Sequence, residues 1–407
     1  MWRLFLLAVI LVYTGINIYT GVKIFALVKY LLPSFKAYIF WPLHIFLSFS
    51  FVTIFLLRLD KLQLIRQAAM YTFPFVVYIF LTFLAFDGVK LVLRLIHQTS
   101  GSGFAVTAGF NAAGTAIALG ITVLLIIFGT IHAGIIRTAH YNITLNKNAS
   151  DENSSVESST AANTVRIALI SDLHIGSVTM SSRHIAKIVN TVNRAKPDII
   201  CIAGDIFDGG IDSAVDLENK LAELKRLSAP LGVYACLGNH DVDRLSIHES
   251  GERNGTGRIQ NLLENAGVIL LQDESVLIAD RFHLIGRRDV RPIGLAAQRK
   301  TAAELTAGVD NTLPVIFMDH QPVDFPATEE AGADLILSGH THRGQFFPGN
   351  IFTYFIFKKD DAVNYGYWRG HTAQGIVTSG AGIWGPPVRI GTDSEVAVID
   401  VKIKMKN

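Results

Sequence analysis

Cysteine is nearly missing from this chain: two residues among 407, Cys201 and Cys236. Two thiols in so long a sequence exclude a disulfide framework as the source of the fold. Each falls in an apolar run, IICIAGD and VYACLGNHD, and is expected as a buried free thiol. Charge is scarce too. Asp, Glu, Lys and Arg make up 17% of the residues, against about 25% in an ordinary soluble domain. With half the chain hydrophobic, that excludes a disordered protein, a collagen and a uniformly soluble one. Acid is scarcest near the N-terminus, with two Asp or Glu against nine Lys or Arg up to Ile136, then 32 against 27 beyond it. The polar part is acidic, which argues against non-specific nucleic-acid binding, where Lys and Arg displace counterions.

Interior charge is likewise missing from four long apolar stretches, 4–22, 37–57, 70–86 and 112–136. Each is near the ~20 residues that cross a hydrocarbon core of ~30 Å. Buried helices of a soluble protein would carry polar faces at 3.6-residue spacing, and these carry none. A cleaved signal peptide fits poorly, because three more hydrophobic segments follow the first. Residues 1–136 are therefore expected to be an all-α transmembrane region of four helices, multi-pass and integral to the membrane. Asp87 and Lys90 fall where the third helix, if extended, would reach the interface. Lys and Arg divide six against five between the two faces, and Arg137, directly after the fourth stretch, tips the C-terminal domain toward the cytoplasmic side of the cell membrane.

From 137 to 164 the chain is rich in Asn, Ser, Thr and Ala and reads as a solvated linker. Beyond it, at 165–407, short β-rich runs alternate with amphipathic stretches. Strands are expected at 165–170, 198–203 and 232–237, separated by helices at 181–194 and 212–227. More strands follow at 268–271, 275–278, 283–285, 314–318, 335–337, 375–379 and 395–403. Such alternation predicts an α/β layered domain of about 240 residues. The run IFTYFIF at 351–357 fits either a core strand or an apolar lip that touches membrane or an acyl chain. The polar segment 243–258 reads as a loop over the strand ends. His184, His248, His283 and His371 are expected in surface or packing roles.

Polar clusters close five of these strands. They are Ser171-Asp172-Leu173-His174, Gly204-Asp205-Ile206-Phe207-Asp208, Gly238-Asn239-His240-Asp241, Asp319-His320-Gln321-Pro322 and Ser338-Gly339-His340-Thr341-His342. Strand ends are where an open α/β sheet presents its site, so the five can converge on one crevice. Imidazole together with carboxylate suits Mn, Fe or Zn rather than Ca. In Asp172-x-His174 and in His340-x-His342, alternation along an extended segment would put both side chains on one side. One such pair is a weak signal. Five clusters in order, each after an apolar run, point to a metal site.

The series D-x-H, G-D-x-x-D, G-N-H-D, H-x-P and G-H-T-H resembles the calcineurin-like metallophosphoesterase superfamily, over about 165–404 of this chain. The segments VTSGAG at 377–382 and PVR at 387–389 are similar to the end of its bacterial membrane-associated phosphohydrolase branch. The resemblance implies a four-layer α/β/β/α sandwich and a dinuclear centre of two divalent ions, Mn, Fe or Zn. Asp172, His174 and His342 would bind one ion, Asn239, His320 and His340 the other, and Asp205 would bridge them. His240, oriented by Asp241, would face the phosphate, these two being the catalytic pair, with Asp208 acting from behind. Arg343 departs from the branch, which has glycine there; it would touch substrate phosphate or be solvated.

Two divalent ions carry about +4, of which Asp172, Asp205 and a shared hydroxide remove about three, leaving a positive centre that attracts a phosphate ester. The implied protein is a membrane-anchored hydrolase of a phosphate ester or pyrophosphate, attacked by hydroxide held between the metals. Its partners would be the bilayer and an amphiphilic or lipid-linked substrate, and no nucleic acid. A reading of another class stays open: a transmembrane transporter or sensor with an accessory phosphoesterase domain. Against it, the apolar stretches lack the interior Asp, Glu, Lys or Arg that mark ion and substrate paths.

Overall fold

A computed structural model of the chain describes residues 2–57, 62–100, 106–148, 164–208, 216–241, 255–290, 299–359 and 362–406. Most of the expected linker (149–163), most of the expected polar loop (242–254) and the start of the helix expected from 212 lie outside the described residues. The chain divides into two compact units, residues 1–131 with 386–388 and residues 132–385 with 389–407.

The first unit is helical, with α1 Trp2–Leu31, α2 Ala37–Leu57, α3 Gln63–Met70, α4 Thr72–Ser100 and α5 Ala108–Ala133, whose last two residues belong to the second unit. By length and composition it holds four candidate membrane spans, Leu7–Leu31, Ala37–Ile54, Gln63–Thr99 and Ala108–Ala133. Val12, Phe46, Val92 and Leu124 are each more than half exposed, as side chains turned to hydrocarbon would be. Helix α4 extends past the third apolar stretch to Ser100 and carries Asp87 and Lys90, and α1 extends past the first to Leu31 and carries Lys23. Lys23 and Lys90 each bring Nζ to 2.6 Å from Asp87, and the Tyr19 hydroxyl donates to it at 2.5 Å. Charge is tolerated there because it is paired.

The second unit is a sandwich. One sheet runs in the order β1 (Ile136–Asn148), β12 (Ser394–Lys406), β2 (Thr164–Ile170), β3 (Ile199–Ala203), β4 (Val233–Cys236) and β5 (Ile269–Leu270). The other runs β10 (Gly366–Arg369), β11 (Gln374–Val377), β9 (Leu335–Ser338), β8 (Val315–Met318), β7 (Phe282–Gly286) and β6 (Glu274–Ile278). Strands β2 to β5 are mutually parallel, as are β7, β8, β9 and β11. Side chains alternate as the pleat requires: Val165, Ile167 and Leu169 join a core between the sheets, while Ala168 and Ile170 join an outer one. Helices α6 (Ser182–Arg194), α7 (Leu217–Leu224) and α8 (Gly255–Asn265) cover that outer face, and α9 (Ala302–Thr306) with α10 (Phe325–Glu330) cover the other sheet. The layers are α/β/β/α. Cys201 and Cys236 are free and fully buried, and burial pushes the Cys201 thiol up to about 12.

Two segments differ from expectation. The start of the expected linker is strand β1, paired in parallel with β12 along its whole length. Ile143 and Leu145 are buried while Asn142, Thr144 and Asn146 are exposed, a period of two hidden inside a linker-like composition. The run at 351–357 is no strand but part of helix α11, Gly349–Lys359. The N–H groups of Ile351 and Phe352 bond to the Pro348 carbonyl (2.9 and 3.3 Å) and close its first turn.

Candidate metal centre

Parallel pairing delivers polar residues to one end of each sheet. Asp172 and His174 follow β2, Asp205 and Asp208 follow β3, Asn239 to Asp241 follow β4, His320 follows β8, and His340 and His342 follow β9. Backbone bonds tie the loops: Asp172 N–H to Gly204 O, His174 N–H to Asp205 O and Gly339 N–H to His320 O, all 3.0 Å. The loops are not extended, as alternation in D-x-H and H-x-H had required. Asp172, His174, Asp205, His340 and His342 all hold left-handed backbone, with φ between 47° and 72°. Such a conformation costs an L-residue of order 1–3 kcal/mol and persists where the surroundings over-determine it. Gly238 leaves room for this crowding, since a Cβ there would overlap Asp205 Oδ1 and the Asp205 backbone nitrogen.

Three groups of ligand-type atoms form, each within 4.8 Å: Asp172, His174 and His342; Asp205, His320 and His340; and His174, Asp208 and His240. The first two each draw on both sheets. His174 Nε2 lies 3.0 Å from His342 Nε2, which is 3.3 Å from Asp172 Oδ1. In the second group, His320 Nε2 is 3.1 Å from Asp205 Oδ2 and 3.3 Å from His340 Nδ1. His320 Nδ1 lies 2.8 Å from the Ala203 carbonyl, which fixes the ring. The His240 backbone N–H donates to Asp205 Oδ1 at 2.8 Å. Asn239, buried after β4, has an Oδ1 with no hydrogen-bond partner.

Burial governs the protonation of the side chains. It pushes His174 and His342 down and Asp172 up. For His320 burial works downward but the Asp205 carboxylate overrides it, to about 10; Asp205 itself is held below the carboxylate range by the same pair, against its own burial. Asp241 is pushed up to about 7 by burial and by Asp205.

The donor set fits divalent metal ions. Imidazole nitrogens and a carboxylate oxygen meet in each of the first two groups, and a buried amide oxygen, Asn239 Oδ1, belongs to the loop after β4. Separations of 3.0–3.3 Å are what two atoms about 2.1 Å from a shared ion subtend. Asp172 Oδ1 and Asn239 Oδ1, buried and unbonded, are atoms that a cation would satisfy.

Six of the seven expected ligand residues thus fall into two groups, and the seventh, Asn239, is buried in the loop after β4. The expected role of Asp241 does not hold. Its carboxylate accepts the backbone N–H groups of Ile206, Phe207 and Gly238 (3.2, 2.7 and 2.8 Å), so it shapes two loops. Asp208 orients His240 instead, with Oδ1 2.8 Å from His240 Nδ1. Adjacency in the chain suggested the wrong aspartate, because the left-handed turn after β3 brings Asp208 across. His240 remains partly exposed, and although burial lowers its pKa, Asp208 wins and raises it to about 8. Arg343 is not merely solvated: its guanidinium lies 4.4 Å from the Tyr365 ring centroid.

The sequence reading missed three supports. Arg389, fully buried, donates to the carbonyls of Ser379, Gly382 and Gly380 (2.9, 2.9 and 3.2 Å), holding the loop whose Ala381 N–H bonds Ser171 O. Asp319, beside His320, is clasped by Arg287 at 3.3 Å and by Arg299. The pairs Arg287-Arg288 and Arg299-Lys300 were the available signal. Aromatic rings flank the site: Trp384 is 6.1 Å from His240 and Phe357 is 6.3 Å from His340, centroid to centroid.

A family model described as calcineurin-like phosphoesterase matches residues 165–344. An uncharacterized metallophosphoesterase of Aquifex aeolicus is 31% identical over 246 residues, which are 59% of this chain and 86% of that one. A Danio rerio transmembrane protein with metallophosphoesterase domain is 27% identical over 341 residues, 80% of this chain and 71% of the relative. A UDP-2,3-diacylglucosamine pyrophosphatase of Chlamydia muridarum is 26% identical over 220 residues, 44% of this chain and 64% of the relative. The chain spans about 60% of the length of the Campylobacter jejuni and Helicobacter pylori metallophosphoesterases it also matches.

Proposed function

The chain belongs to the calcineurin-like metallophosphoesterase family, and we propose that it is a membrane-anchored phosphohydrolase acting on a lipid-linked phosphate ester or pyrophosphate. The observation that carries this reading is the meeting of two His–Asp groups from both sheets beside a partly exposed His240–Asp208 pair. Asp172, His174 and His342 would hold one divalent ion. Asp205, His320 and His340, with Asn239, would hold the other, and Asp205 would be shared. When bound, such a pair of ions supplies Lewis acidity, an activated water and a clamp on the attacking and leaving oxygens. The chain's part is to keep that charge positive: two carboxylates and a neutral amide do not cancel it. His240, with Nδ1 fixed by Asp208, would use its other nitrogen to meet a phosphoryl oxygen or protonate the departing alkoxide.

The lipid-linked substrate rests on two supports. The chain carries four candidate spans, and a relative is named for hydrolysis of a diacylated sugar nucleotide. The catalytic domain is taken as 165–407, enlarged by β1, on the cytoplasmic side that Arg137 favours. Detergent-solubilised full-length protein with Mn²⁺ tests the reading, using bis(p-nitrophenyl) phosphate and UDP-diacylglucosamine as substrates and metal analysis of the same sample. Two ions per chain and turnover of both are expected. A folded, metal-loaded protein that cleaves neither overturns it.

A second reading, in which the helical unit transports or senses and the phosphoesterase is accessory, gains the Lys23–Asp87–Lys90 network that joins α1 to α4. It would show as a phenotype of Asp87→Asn that leaves ester hydrolysis intact.

A further inference from the structure

Helix α11 is built from residues that belong inside a core, and the domain leaves them outside. Phe352, Phe355 and Ile356 are 64%, 63% and 58% exposed, and Tyr354 and Ile351 are 50% and 44% exposed. At 100° per residue these five cover an arc of roughly 200°. A helix that docks in a protein groove offers a stripe of about 100°. The wider arc suits immersion in an apolar fluid. Phe357, by contrast, turns inward toward His340. Trp384, half exposed beside His240, adds an aromatic ring at the same mouth. Lys358 follows, with Nζ 5.7 Å from the Tyr354 ring centroid. Aromatic rings with a lysine at the helix end are the composition of an interfacial anchor, and the lysine complements anionic headgroups.

Covalent connection says what apolar phase is within reach. Helix α5, the last candidate span, ends at Ala133, and β1 of the catalytic domain begins at Ile136. Two residues lie between, and an extended chain reaches only about 3.5 Å per residue. That short join is fastened to the domain: His132 pairs with Asp393 at 2.9 Å, the Ser394 hydroxyl donates to Ala133 O at 3.0 Å, and Lys187 donates to Gly134 O at 2.9 Å. The domain is joined to that candidate span by its own first strand.

We propose that α11, with Trp384, is an interfacial helix that seats the phosphoesterase domain on the membrane and turns the mouth of the metal centre toward the headgroup region. Its consequence, delivery of a lipid phosphate straight from the bilayer, rests on the reading above; the seating does not. The test uses full-length protein in phosphatidylethanolamine–phosphatidylglycerol nanodiscs with a nitroxide at Phe355→Cys, or at Lys225→Cys as an exposed control. Cys201 and Cys236 are buried and stay unlabelled. Collision with oxygen relative to a water-soluble nickel chelate is expected to be at least several-fold higher at 355 than at 225. An equal, aqueous profile at both overturns the proposal. So does a site at 355 shielded from both reagents, which would mean that protein covers the helix. In parallel, Phe352→Ser with Phe355→Ser is expected to lower turnover of vesicle-borne UDP-diacylglucosamine at least tenfold and leave bis(p-nitrophenyl) phosphate within twofold. An immersed label on an enzyme that cleaves no lipid defeats the substrate reading alone; lipid turnover with an aqueous label defeats the helix assignment alone.

Discussion

The two units treat charge in opposite ways. In the helical unit, Lys23 and Lys90 close on Asp87, so each charge meets its opposite and the network is complete. In the sandwich, like meets like: His174 faces His342, His320 faces His340, and the carboxylates of Asp172 and Asp205 are buried among them. Buried polar atoms are ordinarily satisfied, and here Asp172 Oδ1 and Asn239 Oδ1 are not. A completed network needs nothing further. A crowd of unsatisfied donors to metal is arranged for a ligand. Charge in the helical network serves the fold, and the charge gathered at the strand ends of the sandwich serves chemistry.

That contrast can be broken by substitution. The largest effect is expected for Asp205→Asn, which keeps a residue type tolerant of left-handed backbone and removes the shared carboxylate. Turnover should fall by about 10³-fold or more, as loss of several kcal/mol of charge stabilisation implies, with metal content reduced and circular dichroism unchanged. Full activity in this variant would mean that the crowd of histidines serves no metal. Next comes Asp208→Asn. It frees the His240 ring and leaves every group assigned to the ions in place, although Asp208 Oδ1 also stands 3.9 Å from His174 Nδ1, so activity should drop about 10- to 100-fold with at most a small loss of metal. If Asp241→Asn lowers turnover of correctly folded protein as much, while Asp208→Asn is silent, the orienting role returns to Asp241.

A smaller effect concerns His184, a core histidine outside the metal groups. Burial lowers its pKa to about 4. The unfolded chain, near 6.5, takes up the proton first, so this contribution is whole above pH 6.5 and is lost as pH falls toward 4. Between pH 7.5 and pH 5 the domain should lose about 2 kcal/mol from this residue. The pH dependence of the thermal midpoint should flatten in His184→Gln. An unchanged slope would assign acid sensitivity elsewhere. The smallest effect on catalysis is expected from Asp87→Asn, which leaves two lysines unpaired inside helices. Heat resistance of the detergent-solubilised protein should fall while turnover of a soluble ester stays within about twofold. A large catalytic loss would erase the division of labour between the units.

Much of the site was readable from residue order, because parallel strands place a polar cluster at the same end each time. The alternation of strand β2, VRIALI, was hidden by hydrophobicity on both faces, yet the clusters after β2, β3, β4, β8 and β9 announced where the strands stop. What failed had physical reasons. Strand β1 wore the composition of a linker, and only Ile143 and Leu145 carried its period. A seven-residue apolar run such as 351–357 cannot declare strand or helix by periodicity alone. The choice between Asp208 and Asp241 depended on a left-handed turn that no spacing rule encodes.

Because each ion-type group gathers side chains from both sheets, its geometry gauges how the sheets are stacked. Asp172 and Asp205 travel with one sheet, His320, His340 and His342 with the other, and a sideways slip of an ångström would misalign every one of them at once. Residues that never see a phosphate therefore help tune the reaction: Leu169, Phe282 and Leu284, packed in the layer between the sheets, act as shims that set the spacing of a vice whose jaws close some distance away.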